Sequence, residues 1–413
     1  MEINMKAFRL LFTDMFFISI IFIFASFPQN AKAETNKSGQ IDELGISTFI
    51  ETPGMPRDLV NLDINNDGLQ DLIVFSKYKG TYIFINDNGI LNLQPIRIAT
   101  EKATDIDVGH LNYTSQKFND FLTVYEYKIH LYLNNGDATA FDKTISYDSP
   151  KWGTYVRTAD FNNDGISDFV AVGTYDDSIY FYISSKKTSK YEVSKVSLSD
   201  DIAGIKFSSN FINVADVDND KKVDVIVINN NGNSLWLLKN IDGSKFDYKL
   251  LRSISVDNVD DFNKKFYYAD FLYFDEVNGT SYFMAVRDTE VPELSFISFD
   301  NKQNKADTVK TVKMQINRPV SFEKVRTEKD KVEYLMTNYS NPKTTEAMVS
   351  LFTLNLNDYS YQVKPIHKVK NCLVKNAKYN KDIKSIITLC NEQGPNVKDG
   401  IDVYKVKDDF MDQ

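Results

Sequence analysis

Four short apolar runs mark the first half of the chain: Leu72-Ile-Val-Phe75, Phe121-Leu-Thr-Val124, Phe169-Val-Ala-Val172 and Val225-Ile-Val-Ile228. After each comes a turn and then a segment in which side chains alternate in character. These segments are Thr81-Tyr-Ile-Phe-Ile85, Lys128-Ile-His-Leu-Tyr-Leu133, Ser178-Ile-Tyr-Phe-Tyr-Ile183 and Ser234-Leu-Trp-Leu-Leu238. Weaker members follow at Glu293-Leu-Ser-Phe-Ile297, Ala347-Met-Val-Ser-Leu-Phe352 and Gly400-Ile-Asp-Val-Tyr404. Period-two alternation rich in aromatic and β-branched residues predicts strands, and the Asn-, Asp-, Lys- and Ser-rich stretches between them predict turns. No long helical pattern follows the N-terminal segment. Units of roughly 50 residues, each holding several short strands, fit four-stranded blades around an axis. The expectation is an all-β propeller of about seven blades. The leading strand Gly45-Ile-Ser-Thr-Phe-Ile50 is placed to complete the last blade and close the ring.

Polar positions before three of the apolar runs are equally regular. They read Asp63-Ile-Asn65-Asn-Asp67-Gly68-Leu69-Gln-Asp71, Asp160-Phe-Asn162-Asn-Asp164-Gly165-Ile166-Ser-Asp168 and Asp216-Val-Asp218-Asn-Asp220-Lys221-Lys222-Val-Asp224. Oxygen-bearing side chains stand at loop positions 1, 3, 5 and 9. That spacing lets alternate side chains and one backbone carbonyl, of Leu69, Ile166 or Lys222, converge on a hard cation such as Ca²⁺. Position 6 needs a left-handed turn, which Gly68 and Gly165 supply freely. Lys221 replaces that glycine at a cost of about 1 kcal/mol. The opening half matches an EF-hand loop, but position 12, where its bidentate Glu belongs, holds Val74, Ala171 and Val227. These are therefore expected to be calcium loops between strands, with the ion structural. A degenerate copy, Asp107-Val-Gly-His-Leu-Asn112 leading to Asn119-Asp120, keeps the final Asp without the ligand set.

Asp-rich loops followed by Asp-Leu-Ile-Val-like strands resemble the FG-GAP (also called VCBS) repeats of integrin α-subunit propellers and many exported bacterial proteins. The resemblance is carried by the blades holding Asp63, Asp160 and Asp216, and the copy near Asp120 supports it. From about Asp261 onward it rests on spacing alone. There Ala269-Asp270 with Asn278-Gly279, and Lys324 to Asp330, sit where loops belong but lack the ligands. The resemblance implies a scaffold that contacts proteins or glycans through loops on one face.

The N-terminus carries Lys6 and Arg9, an apolar run from Met15 to Phe27, and Ala31-Lys32-Ala33, the layout of an export signal cleaved near residue 33. The run is too short for a standard membrane-spanning helix, and an uncleaved anchor is the alternative. Residues 34–413 then form one domain, secreted to the periplasm or outside the cell. Loss of the segment moves the net charge from −9 to −10. Ten Asp sit in the three loops, so much of the acidity belongs to the expected metal sites. Such a balance argues against nucleic acid or an anionic membrane as partner. The two cysteines, Cys372 and Cys390, lie in strand-like runs. In an exported chain they suggest one disulfide, with two free thiols as the alternative.

Catalytic patterns are thin. His110, His130 and His367 stand in no nucleophile or zinc motif, and paired carboxylates have no distinguishing spacing. Trp236 lies within an alternating strand and reads as core. Trp152, in Pro150-Lys-Trp-Gly153, is a candidate for stacking on a sugar ring or for packing. The reading is a non-enzymatic binding or assembly protein with a protein or glycan partner. The alternatives are a carbohydrate-active lyase or hydrolase, or an accessory to polysaccharide export, on the same scaffold.

Overall fold

The computed structural model describes residues 47–406 except 53, 99, 114–117, 137–140, 198–208, 230–233, 254–266, 278–279, 289–291, 304, 317–318, 329, 340–346, 370–372 and 392–398. The expected signal segment and Cys372 lie outside the described residues. Everything described is strand or turn. Antiparallel strands form six sheets of four or more strands, one of them six-stranded, plus a two-residue ribbon.

The sheets are consecutive in the chain, and each winds outward from an inner strand. The first blade is Pro56–Leu62, Asp71–Ser76, Gly80–Phe84 and Ile96–Ile98. The six-stranded sheet runs from Asp105–Gly109 through Asp120–Asn134, Phe141–Ala159, Asp168–Gly173, Ser178–Ser185 and Lys190–Ser197. Two of its long segments each serve as two strands. The backbone N–H of Asn134 donates to Asp120 Oδ1 at 2.8 Å. Fourteen extended residues would span more than 40 Å, so Asp120–Asn134 must double back as a hairpin. In Phe141–Ala159, residues 141–148 pair with that hairpin, whereas residues 153–159 pair with Asp168–Gly173. The sheet therefore carries the strands of a second and a third blade.

The fourth blade opens with Ser209–Ala215, the fifth with Tyr267–Val277 and the sixth with Pro319–Glu328, each followed by three further strands. In the last blade, Leu373–Asn380, Ser385–Asn391 and Gly400–Lys405 are joined by Ser47–Glu51, which pairs with Gly400–Lys405 in the register Ser47↔Tyr404 to Glu51↔Gly400. The first strand thus closes the ring on the last, as the sequence pattern anticipates.

Seven hydrophobic cores lie between successive blades, including one between the last blade (Ile387, Leu389, Ile401) and the first (Leu59, Leu72, Val74). Strand periodicity explains why the apolar runs are continuous. Along Asp224–Asn229, Val225 and Val227 enter the core shared with the third blade, while Ile226 and Ile228 enter the core shared with the fifth. Leu72 with Val74, and Ile73 with Phe75, divide in the same way. A strand sandwiched between two neighbouring blades has no solvent face, so both of its sides are apolar.

Inner strands meet around the axis through polar pairs. Arg157 Nη1 donates to Asp105 Oδ2 at 2.7 Å, Asn376 Nδ2 to Asp58 Oδ1 at 3.0 Å, and Lys378 Nζ to Glu323 Oε2 at 2.6 Å. In the fifth and sixth blades, residues 267–277 and 319–328 are themselves inner strands, and the next strands begin at Thr280 and Lys331. Ala269-Asp270 and Lys324 to Glu328, which spacing assigned to loops, are therefore parts of strands.

Phe181 is fully buried, stacked on Phe246 with ring centroids 4.0 Å apart and edge-on to Phe161. Phe181→Ala is expected to cost about 3–5 kcal/mol in urea denaturation. A loss under about 1 kcal/mol would show that this seam does not hold the third and fourth blades together.

Candidate functional site

The Asp-rich segments connect the first and second strands of their blades, so all three lie on one face of the ring. Their backbones repeat closely. Position 4 is left-handed at Asn66, Asn163 and Asn219 (φ 62°, 55° and 59°), and position 6 at Gly68, Gly165 and Lys221 (φ 91°, 84° and 67°). Lys221 thus accepts the left-handed turn that its neighbours give to glycine. The curl brings the side chains inward. Asp67 N donates to Asp63 Oδ1 and to Asn65 Oδ1, Gly68 N to Asp63 Oδ2, and Leu69 N to Asp67 Oδ1. Asp160, Asn162 and Asp164 are held identically, and Asp216 with Asp220 take the corresponding bonds in the third loop.

The residues fit a hard cation. In the third loop, ligand oxygens of Asp216, Asp218 and Asp224 lie within 4.8 Å of one another. Asp218 Oδ1 is buried without a hydrogen-bond partner, while Oδ2 is ion-paired with Lys239. Three converging carboxylates with an orphaned oxygen are the donor set that Ca²⁺ satisfies.

The ninth-position Asp has a further role that spacing alone does not reveal. Asp71, Asp168 and Asp224 are buried, and each carboxylate accepts backbone N–H groups from two sides, Asp168 taking Asn162 N at 3.2 Å besides. One comes from loop position 2 (Ile64, Phe161 or Val217), the other from the end of the third strand (Asn86, Ser184 or Asn240), at 2.6–3.1 Å. Asp120 in the degenerate loop does the same, accepting from Leu111, Asn112 and Asn134 at 2.8–2.9 Å. This carboxylate is retained where the cation set is lost because it ties loop to strand by itself.

The position-2 carbonyls link blade to blade. Asn134 Nδ2 donates to Ile64 O and Asn240 Nδ2 to Phe161 O, both at 2.8 Å, Tyr191 Oη donates to Leu111 O at 3.2 Å, and Ser281 Oγ donates to Val217 O. Each donor belongs to the blade after its acceptor. The Asn residues that follow the alternating strands were the visible signal for this clamp.

The opposite face carries exposed aromatics. Tyr78 and Tyr175 sit at the turns between the second and third strands of the first and third blades, and Tyr127 at the hairpin of the second. Trp152 lies where the chain passes from the second blade into the third. They are 51%, 64%, 47% and 36% exposed. Trp152 stands 6.2 Å from Tyr127 and 6.1 Å from Tyr175, centroid to centroid. Its backbone is left-handed at φ 55°, and the turn is pinned by Thr174 N donating to Trp152 O and Tyr175 N to Lys151 O. Left-handed backbone at a bulky residue is strained by about 1–3 kcal/mol and concentrates at ligand-binding positions. Tyr127 and Tyr175 are not distinguishable in sequence from the many strand tyrosines.

The other sequence candidates are structural or peripheral. Trp236 is buried in a core. His110 Nδ1 faces Phe118 O at 3.2 Å, His130 Nδ1 faces Ser146 Oγ at 2.8 Å, and His367 packs on Tyr404. Cys390 is buried on Ser385–Asn391, its expected partner Cys372 lying outside the described residues. Asp105, pushed up to about 6 by burial against the opposing Arg157, and Asp107, likewise raised by burial, face the third blade. Asp105 binds Arg157 and Val156 N, and Asp107 binds Thr158 N and Oγ1. Both carboxylates are committed to inter-blade ties.

An FG-GAP-like repeat model matches residues 113–171 and 160–227, spanning the second blade to the fourth. No curated protein matches the chain. Among solved structures, the chain is similar to BBS1N in a lead-soaked complex with ARL6DN, at 8% identity and TM-score 0.55, over 88% of this chain and 97% of that one. It is similar to the Dos1 propeller at 8% identity and TM-score 0.53, over 88% and 96%. It is also similar to the Nup133 β-propeller domain of Vanderwaltozyma polyspora at 12% identity and TM-score 0.51, over 88% and 100%. At such identities the likeness is one of fold.

Burial pushes the Asp120 carboxyl up to about 6, against the three N–H groups that lower it. The folded chain therefore holds this proton more tightly than the unfolded chain, so the contribution to stability is full near pH 4 and is lost as pH rises through about 6. The stability gap between wild type and Asp120→Asn should widen from pH 7 to pH 4 in urea titrations. Asp120→Ala should cost on the order of 3 kcal/mol, equally with and without calcium. A gap that narrows on acidification, or a calcium-dependent loss, would contradict this assignment.

Proposed function

The chain is a β-propeller built with FG-GAP-like repeats, and we propose that it is an exported, non-enzymatic binding protein stapled by calcium on one face and recognising its partner through the other. The observation that carries the recognition half is Trp152. It is a partly exposed indole held in strained left-handed backbone between Tyr127 and Tyr175. Aromatic faces at that spacing suit the apolar faces of sugar rings, and a glycan is the partner class proposed. The fold neighbour BBS1N was solved in complex with ARL6DN, an instance of the same architecture binding a protein.

Calcium is assigned to the loops beginning at Asp63, Asp160 and Asp216, held by side chains at positions 1, 3, 5 and 9 and the carbonyls of Leu69, Ile166 and Lys222. Its role would be to hold acidic loops closed, which is folding free energy. Export and a Cys372–Cys390 disulfide complete the reading. The hydrolase alternative is disfavoured because Asp105 and Asp107, the axial carboxylates raised by burial, are bound to Arg157 and Thr158.

Chelation tests the staple. EDTA should lower the melting temperature, and Asp164→Ala should reproduce much of that loss while responding less to EDTA. Melting indifferent to EDTA would remove calcium from this account. For recognition, Trp152→Gly relieves the left-handed strain while deleting the indole. It should keep the wild-type melting temperature yet lose binding on an array of neutral and acidic oligosaccharides. Retained array binding by this variant would refute the aromatic face as the site.

A further inference from the structure

Arg57 stands one residue into the inner strand of the first blade, at the end nearer the aromatic face. Its Nε is buried and has no hydrogen-bond partner, and Nη2 reaches only Met55 Sδ at 3.4 Å. Among the described residues no carboxylate pairs with it. The contrast lies on other inner strands, where Arg157 meets Asp105 and Arg326 meets Glu333, both at 2.7 Å. Burial lowers the Arg57 pKa, opposed by Tyr78 and Tyr155. A guanidinium withdrawn from water without an anion is costly, and the fold elsewhere avoids that cost.

Two further cations stand beside the neighbouring Tyr78 ring in a chain of net charge −9, while Asp399 Oδ2 is taken up by Met55 N at 2.7 Å. Lys77 Nζ lies 5.1 Å and Lys102 Nζ 5.8 Å from the centre of the Tyr78 ring, and neither has an ion-pair partner among the described residues. Tyr78 is half exposed. The turn that presents it is pinned as the Tyr175 turn is: Lys77 N donates to Met55 O and Tyr78 N to Gly54 O, matching the bonds at Trp152 and Lys151. Met55, like Trp152, is left-handed, at φ 66°. The first and third blades thus build the same turn twice, once bearing an aromatic platform and once bearing an aromatic beside unpaired cations.

We propose that this face binds an acidic glycan, with Arg57 receiving the carboxylate of a uronate residue while Tyr78 and the Trp152 cluster take sugar faces. The inference rests on the glycan reading of this face. A guanidinium presents two parallel N–H groups to a carboxylate, a geometry an ammonium does not reproduce. Lys77 and Lys102 add a local positive field that selects anions from a protein otherwise repelling them. A neutral sugar would satisfy the aromatics and leave Arg57 as it stands.

Calorimetry on the full chain with galacturonate, mannuronate and glucuronate oligosaccharides, each beside its methyl ester, tests the proposal. At least one acid should bind, and its ester should bind at least about tenfold more weakly. Arg57→Gln should weaken the acid by a similar factor and leave the ester unchanged, with Arg57→Lys intermediate and melting like wild type. Equal binding of acid and ester, or an acid indifferent to Arg57→Gln, overturns the proposal. Binding of neutral glycans alone, lost in Trp152→Gly, would overturn it while leaving the glycan-binding reading intact. No binding by any oligosaccharide, or preferential binding of polyglutamate, would overturn both.

Discussion

A buried carboxylate accepting backbone N–H groups from two directions is the constraint on which the first four blades depend. At Asp71, Asp120, Asp168 and Asp224 it joins the connection after the inner strand to the end of the third strand. A blade of short strands has few residues with which to fix the angle between its inner and outer edges. One side chain with two acceptor oxygens does so at the point where the chain reverses. It also accounts for the buried position, since N–H groups at a reversal need an acceptor that solvent no longer supplies.

The blade-to-blade clamp follows from that geometry. Once the carboxylate has fixed loop position 2, its carbonyl points outward to the next blade, where Asn134, Tyr191, Asn240 or Ser281 donates to it. The apolar seams contribute burial without direction, and these polar ties set the register in which seams pack. The cation-binding pattern is an addition to this frame. Asp120 retains the frame with no ligand set around it, whereas the third loop gathers three carboxylates that need a counter-charge. Lys239, paired with Asp218, supplies part of it from the protein itself.

The two faces therefore have different physical characters. On one, Asp-rich loops close over themselves and over their neighbours, with Asn119 Nδ2 donating to Asp63 O and Asn163 Nδ2 to Lys221 O. On the other, tight turns present aromatic rings and cations outward. Left-handed residues occur on both faces, with Trp152, Met55 and Glu126 on the aromatic one and Asn66, Asn163, Asn219, Lys221 and Tyr359 among those on the loop face.

Strand order, repeat length, ring closure by residues 47–51 and the three acidic loops were all legible in the sequence, because each depends on local periodicity or on spacing within nine residues. What only the tertiary structure decided are the relations between residues far apart in the chain. These include the second duty of the ninth-position Asp, the clamp from Asn134 to Ile64, and the gathering of Tyr127 and Tyr175 around Trp152. The lack of a carboxylate partner for Arg57 among the described residues is the extreme case, since it is defined only against the groups that the fold brings near. Local pattern encodes which residues can form a strand or curl into a loop. Pairing and isolation are properties of packed neighbours, and no window of sequence contains them.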